Sequence, residues 1–169
     1  MNTSQRRERI LEYLREADCP LSASVLAGKL SVSRQIIVGD VALLRASGEA
    51  ITATPRGYVL ERSHPGITGT VACLHSPEDI ERELMLMVDQ GCTVEDVIVE
   101  HPVYGQITGP LELSSRYDIS EFIRKVEQNA ARPLSALTGG IHLHTLRCPD
   151  QEALDRAAAA LEQAGFLVK

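Results

Sequence analysis

Between Arg6 and Ala17 the apolar residues Ile10, Leu11 and Leu14 recur at helical spacing among Arg and Glu, and Asp18-Cys19-Pro20 ends the pattern. A second helix is predicted from a cap at Ser22 through Val25, Leu26 and Ala27 to Leu30. Ser31-Val32-Ser33 then forms a three-residue turn into a third helix that reaches about Ser47-Gly48. Two short helices across so tight a turn match the helix-turn-helix pattern. In the third helix Ile37, Val41 and Leu44 fall at i, i+4 and i+7 and should face the core, which leaves Gln35, Gly39, Ala42 and Ala46 outward. Small residues on that face would let the helix lie close to a groove wall; Gly39 costs a helix interior about 1 kcal/mol relative to Ala, which simple tolerance explains equally well. Ala50-Ile51-Thr52-Ala53 and Gly57-Tyr58-Val59-Leu60 flank Thr54-Pro55-Arg56, a short hairpin of the kind called a wing.

From Ser63-His64-Pro65-Gly66 the pattern changes to alternating strands and helices, so two domains are predicted, residues 1–62 and 66–169. Ile67 to Leu74 reads as a strand. Ser76-Pro77-Glu78-Asp79 opens a helix, with Pro in its first turn and acids at the positive end of the dipole, that ends at Gly91. Val94 to Glu100 and Gly105 to Leu113 read as paired strands joined by His101-Pro102-Val103-Tyr104, and a helix runs from about Ile119 to Ala130. Leu134 to Leu137 and Gly140 to Cys148 are predicted strands around Thr138-Gly139-Gly140, and Asp150 to Ala164 is a last helix closed by Gly165. The second domain is therefore an α+β sandwich with helices on one face of a mostly antiparallel sheet, in an order resembling a ferredoxin-like layout.

Composition changes this picture in three ways. No run approaches the ~20 apolar residues of a membrane span and the first residues lack the apolar core of a signal peptide, so a cytoplasmic protein without membrane partners is expected. The four cysteines lie far apart and read as reduced thiols, although Cys73, two residues before His75, and Cys148, four after His144, stay open as thiolate ligands on spacing. The net charge of -6 is uneven: residues 1–62 carry nine Lys/Arg against seven Asp/Glu, and the remainder eight against sixteen. The first domain is thus the one able to approach phosphate.

The N-terminal end of a recognition helix reads bases, and here it offers Ser33, Arg34 and Gln35. Arg pairs with guanine and Gln with adenine, while Arg56 at the wing tip is placed to meet a phosphate or a minor groove. A small packing module with solvated arginines is the alternative. Turn length, polar helix start, wing and local charge together favour DNA binding.

His142 and His144 in the apolar run Ile141-His142-Leu143-His144 point to one side of a strand about 7 Å apart, half of a metal site. A third imidazole and a carboxylate would complete it. His75 sits at a strand end, and Glu83 follows by eight residues, about two turns into the next helix and near the ~12 Å limit of a joint span. Asp79 and Glu81 compete with it. The alternative places the pair on the solvent face of an edge strand. His101 reads as a pocket or a turn residue, and His64 as a linker residue.

Val32-Ser33-Arg34-Gln35, Leu43-Leu44-Arg45, Ala53-Thr54-Pro55-Arg56-Gly57-Tyr58, Glu100-His101-Pro102-Val103-Tyr104-Gly105 and His142-Leu143-His144 resemble the niacin-responsive transcriptional repressors, over nearly the whole chain. These join an N-terminal winged helix-turn-helix to a C-terminal domain named for three histidines, the 3H domain. The resemblance implies a repressor, not an enzyme, of genes for NAD biosynthesis or niacin uptake, with nicotinic acid or a related pyridine as co-repressor. It also implies a metal site at His75, Glu83, His142 and His144, which selects Glu83 over its neighbours.

A divalent transition metal (Ni, Zn, Fe or Co) would then sit among three neutral imidazoles and one carboxylate, with an open position, and His101 and Tyr104 are candidates to line the effector pocket. The expected partner is a double-stranded DNA operator. A homodimer is expected too, because one recognition helix reads few base pairs. Candidate dimer surfaces are the sensor sheet and the last helix at Leu154, Ala158 and Leu161, with plain core the favoured reading of each. Two other classes fit the same residues: a metal-responsive repressor, and a metal-dependent enzyme acting on a pyridine, which lacks a candidate general base.

Overall fold

The computed structural model describes residues 2–61 and 66–168, so His64 lies outside the described residues. The chain divides into two compact units, Met1–Ser63 and His64–Lys169. No helix among the described residues is long and apolar enough to cross a membrane.

The first unit contains α1 (Thr3–Glu16), α2 (Ala23–Leu30), α3 (Arg34–Ala46), β1 (Ile51–Thr54) and β2 (Gly57–Leu60). α1 starts earlier than its apolar spacing suggests, because Asn2 and Gln5 form a capping box. Ser22 and Ser33 cap α2 and α3, and Ser31 takes a left-handed conformation (φ 54°) that closes α2 and turns the chain. Ile10, Leu14, Leu26, Leu30, Ile37, Val41 and Leu44 meet in one core. Asp40 lies on the buried face of α3 at 4 % exposure, where it accepts from Arg6 Nε at 2.6 Å. An unpaired carboxylate there would be costly, so this bridge ties α1 to α3.

The wing docks through its backbone. Leu21 N–H donates to Tyr58 O (3.0 Å) and Tyr58 N–H to Leu21 O (2.8 Å). That approach needs glycine at position 57, where φ is 143° and a Cβ would lie 2.6 Å from Ser22 N.

The second unit contains β3 (Ile67–Leu74), a 3-10 turn at Pro77–Asp79, α4 (Ile80–Val88), β4 (Thr93–His101), β5 (Gly105–Leu113), α5 (Arg116–Gln128), a 3-10 turn at Leu134–Thr138, β6 (Ile141–Cys148) and α6 (Gln151–Gln163). The sheet order is β3-β6-β4-β5, with every neighbour antiparallel. The elements follow one another along the chain as in a ferredoxin-like layout, but in the sheet the last strand, rather than the third, fills the gap between the first two. Leu134 to Leu137 is a helical turn rather than the expected strand. Both edges of β4 are already taken by β5 and β6, and the turn satisfies itself through Ala136 N–H to Pro133 O (3.0 Å) and Gly140 N–H to Ser135 O (2.9 Å).

Helices cover one face of this sheet. Val71, Cys73, Val94, Leu111, Leu113 and Leu146 pack against Leu84 and Met87 of α4, Ile119 of α5 and Ala153, Ala157 and Leu161 of α6. Leu161 is fully buried and Leu154 packs on the same core, as the plain-core reading expects, while Ala158 is half-buried. The segment after α6 returns along the outer edge of β3, with Leu74 N–H donating to Phe166 O and Val168 N–H to Ala72 O, each at 2.8 Å.

Gly57→Ala is expected to destabilise the protein by more than about 1 kcal/mol, since the residue must leave an unfavourable φ or push the wing off Leu21. Urea unfolding of the full-length variant against the parent measures this.

Candidate functional site

β6 is paired along both edges, and strand alternation puts His142 and His144, at 3 % and 2 % exposure, on the same face as the buried Leu146 and Cys148, while Ile141 and Leu143 face outward. The edge-strand alternative is thereby excluded. Their rings meet edge to face with centroids 4.9 Å apart. β3 runs beside β6 with Cys73 opposite His142, and His75 follows at the strand end, its ring 4.9 Å from that of His142 and 5.1 Å from Phe166. Ser76 and the 3-10 turn at Pro77–Asp79 delay the start of α4 to Ile80, so Glu83 lies in its first turn rather than two turns in. Glu81 is exposed, and Asp79 accepts from Ser76 Oγ at 3.2 Å. Only Glu83, among the three acids weighed, turns inward to the histidines.

The Glu83 carboxylate is the hub. His75 Nε2 lies 2.8 Å from its Oε2, His142 Nε2 2.9 Å from Oε1 and His144 Nε2 3.4 Å from Oε2. On the far side of each ring, Nδ1 meets a backbone carbonyl: Ser76 O at 2.8 Å, Gly140 O at 2.8 Å and Asp96 O at 2.6 Å. A carbonyl only accepts, so each Nδ1 carries the proton, and a neutral ring then turns a lone pair toward the carboxylate. Acceptors facing acceptors in a buried space need a cation between them, either added protons or a metal.

His75 Nε2 makes the point by itself. It is buried and has no hydrogen bond of acceptable direction, despite its closeness to Glu83. Three nitrogens and a carboxylate, each ring held by a carbonyl behind it, form a donor set suited to a borderline divalent ion. Donors about 2.1 Å from one tetrahedral ion stand about 3.4 Å apart; the three Nε2 atoms lie 2.8, 2.9 and 3.4 Å from Glu83, which meets them through both of its oxygens. By its chemistry the donor set is one that a divalent ion can use.

The electrostatics agree in sign. Burial pushes Glu83 up, but the close approach of the His142, His144 and His75 rings, once a proton or cation sits on their side, outweighs it and holds the carboxyl well below the usual range. Burial lowers His75, yet its Glu83 and Ser76 contacts raise it overall. Each group demands opposite charge beside it.

Cys73, Glu83 and His142 each offer one ligand atom, all within 4.8 Å of one another. Burial first, and then the adjacent Glu83 carboxylate, push the Cys73 thiol well above its usual range. Cys148 takes no part: it sits four residues along β6 from His144, about 13 Å, beside Cys92, whose thiol is pushed up to about 12 by burial and by Cys148. Sequence reasoning missed the three orienting carbonyls and Phe166, which closes over His75. Asp96 has a signal only in three dimensions, because its carbonyl is freed by a register shift between β4 and β6. Gly140 had one in the Gly139-Gly140 pair: at φ 100° it lets β6 begin with a would-be Cβ 2.6 Å from His75 O.

His101 and Tyr104 stand at the tip of the β4–β5 hairpin. His101 Nδ1 accepts from the N–H groups of Val103 (3.2 Å) and Tyr104 (3.3 Å), and the two rings lie 5.1 Å apart, with Tyr104 77 % exposed. These bonds belong to the hairpin itself, not to the histidine cluster. In the first unit Ser33 Oγ accepts from Ile36 N–H at 3.3 Å, Arg34 and Gln35 project from the exposed first turn of α3, and Arg56 sits half-buried at the wing tip.

His142→Ala and His144→Ala should each lower metal affinity by more than about a hundredfold, since even orienting partners behind a ligand are worth 10–100-fold. Chelator competition and metal content measure it; stoichiometric metal in both variants would overturn the site. Metal affinity should also fall as the pH drops, because protons compete for Nε2, and the raised His75 makes that loss begin above the ordinary imidazole midpoint of about 6.5. Titrating metal binding against pH reads this directly.

Comparison with known proteins follows the division of the chain. Residues 6–59 match the HTH domain and residues 68–169 match the 3H domain. The chain is 46 % identical over 170 residues to the transcription repressor NadR of Bacillus subtilis, covering 98 % of this chain and 94 % of that protein. It is 44 % identical over 165 residues, with the same coverage, to the probable transcription repressor NiaR of Thermotoga maritima. An uncharacterized protein of Methanothermus fervidus is 25 % identical over 100 residues, 56 % of this chain and 16 % of that one. With both domains in the same order and the similarity running almost end to end, the chain belongs to the family of transcription repressors that join a helix-turn-helix domain to a 3H domain.

Proposed function

We propose that the protein represses genes of NAD biosynthesis or niacin uptake, with nicotinic acid or a related pyridine as co-repressor and a divalent ion in the second unit. The observation that carries this reading is the cluster itself: three imidazoles, each held by a carbonyl, turned onto one buried carboxylate. The names of the relatives and the residues shared with the niacin-responsive repressors support the regulatory role.

Each residue has a task in this reading. His75, Glu83, His142 and His144 hold the ion, and Ser76, Gly140 and Asp96 keep the rings in the tautomer that can bind it. The bound ion, whether Ni, Zn, Fe or Co, supplies a Lewis-acidic position for a pyridine nitrogen or carboxylate. The exposed Tyr104 and the half-buried His101 offer aromatic surface for the pyridine ring. Ser33, Arg34 and Gln35 meet base edges, and Arg56 meets the backbone at the groove beside them. A homodimer presents two recognition helices about one helical turn apart to a pseudo-palindromic operator.

Co-repression requires that the pyridine bind the DNA-competent arrangement better, and DNA must then tighten pyridine binding by the same factor. The test is binding of the full-length protein to the upstream DNA of a niacin-transport or NAD-biosynthesis gene, with nicotinic acid or nicotinamide present or absent, before and after chelation. Nicotinic acid should tighten binding, and chelation should abolish the effect. Response to neither compound overturns the niacin reading, and a switch driven by metal alone makes the ion the signal. In the same assay Arg34→Ala should cost about 1–3 kcal/mol and relax specificity at one position, whereas Arg56→Ala should weaken all sequences alike and lower the salt dependence by about one phosphate.

A further inference from the structure

α3 runs unbroken from Arg34 to Ala46, and Gly39 stands at its middle. Glycine is the poorest helix former after proline, so its presence there calls for a cause. Among the described residues nothing requires it: Gly39 is not among the residues with positive φ, and a Cβ on it would meet no atom within 4 Å. Alanine would fit. Gly39 is exposed on the side of α3 opposite the buried Ile37, Val41 and Leu44, one turn after Gln35. Val38, 39 % exposed, borders it, and neither residue's side chain offers a hydrogen-bonding group.

We infer that Gly39 is the point where α3 comes closest to the major-groove floor, and that a thymine methyl group seats against Gly39 and Val38. This rests on the DNA-reading role of α3. A second helix of this motif lies in the major groove, where a side chain at the nearest position holds the backbone away from the bases. Only the thymine methyl among the groove groups matches a surface without donors or acceptors. Gln35, one turn earlier, is placed to take the bidentate contact with an adjacent adenine.

The test uses full-length protein and a labelled duplex selected by that protein from a random pool in the presence of metal and nicotinic acid. Gly39→Ala and Gly39→Leu should unfold at the same or higher denaturant concentration than the parent, yet bind the duplex at least about tenfold and about a hundredfold more weakly. Gly28→Ala, an equally open and exposed glycine on α2, should gain stability and keep its affinity. Replacing thymine by uracil, one position at a time, should weaken parent binding at one step of each half-site. Parent-like affinity in Gly39→Ala, or an equal loss in Gly28→Ala, overturns the close approach, and indifference to every uracil overturns the thymine contact. A parent protein that selects no sequence sinks the DNA role of α3 itself, a different outcome from a parent that binds and a Gly39 variant that binds equally.

Discussion

A carboxylate with 1 % of its side chain exposed has to be neutralised where it sits, and Glu83 is such a group. An isolated buried charge costs several kcal/mol even after relaxation, so the fold around it exists only with positive charge in the same space. The three imidazoles supply the positions for that charge. Because their outer nitrogens are committed to carbonyls, the inner ones are left for a proton or an ion, and nothing apolar satisfies them. The need of one acid therefore organises the ends of β3 and β6, the first turn of α4 and the segment carrying Phe166.

The topology follows the same need. Insertion of β6 between β3 and β4 puts the His142/His144 pair on a strand with hydrogen bonds on both sides, where ring orientation is set by backbone rather than by solvent. The shift in the β4–β6 ladder frees the Asp96 carbonyl for His144 and turns its side-chain oxygen to Thr145 N–H at 2.9 Å. Irregular pairing here is part of the site. A regular ladder would occupy that carbonyl in the sheet and leave His144 without its orienting partner.

The first unit is built on a different economy of charge. Its one deeply buried acid, Asp40, is neutralised within the unit by Arg6, so the outward face of α3 is free of structural duties. Residues such as Arg34, Gln35 and Gly39 are then available to an external partner. One unit keeps its critical charge inside and presents a reading surface; the other gathers donor atoms around a charge that an ion can complete.

Much of this was legible in the order of residues. Helical spacing and Ser caps marked α2 and α3, and alternation marked β3 to β6, since those signals depend on neighbours within a few positions. The His142-Leu143-His144 spacing alone placed two imidazoles on one side of a strand. Which acid met them was not decidable from spacing, because Asp79, Glu81 and Glu83 differ only by how tightly the chain winds after Ser76. Nor could sequence reveal that Leu134 to Leu137 would turn rather than pair, that Cys73 would face His142, or that Asp40 would go inward to Arg6. Local pattern determined the elements and the identity of most donors. Tertiary structure decided the order of strands, the inward turn of Glu83 that spacing left open and only the family resemblance had singled out, and the protonation of each ring, because burial, register and hydrogen-bond partners are properties of residues far apart in the chain.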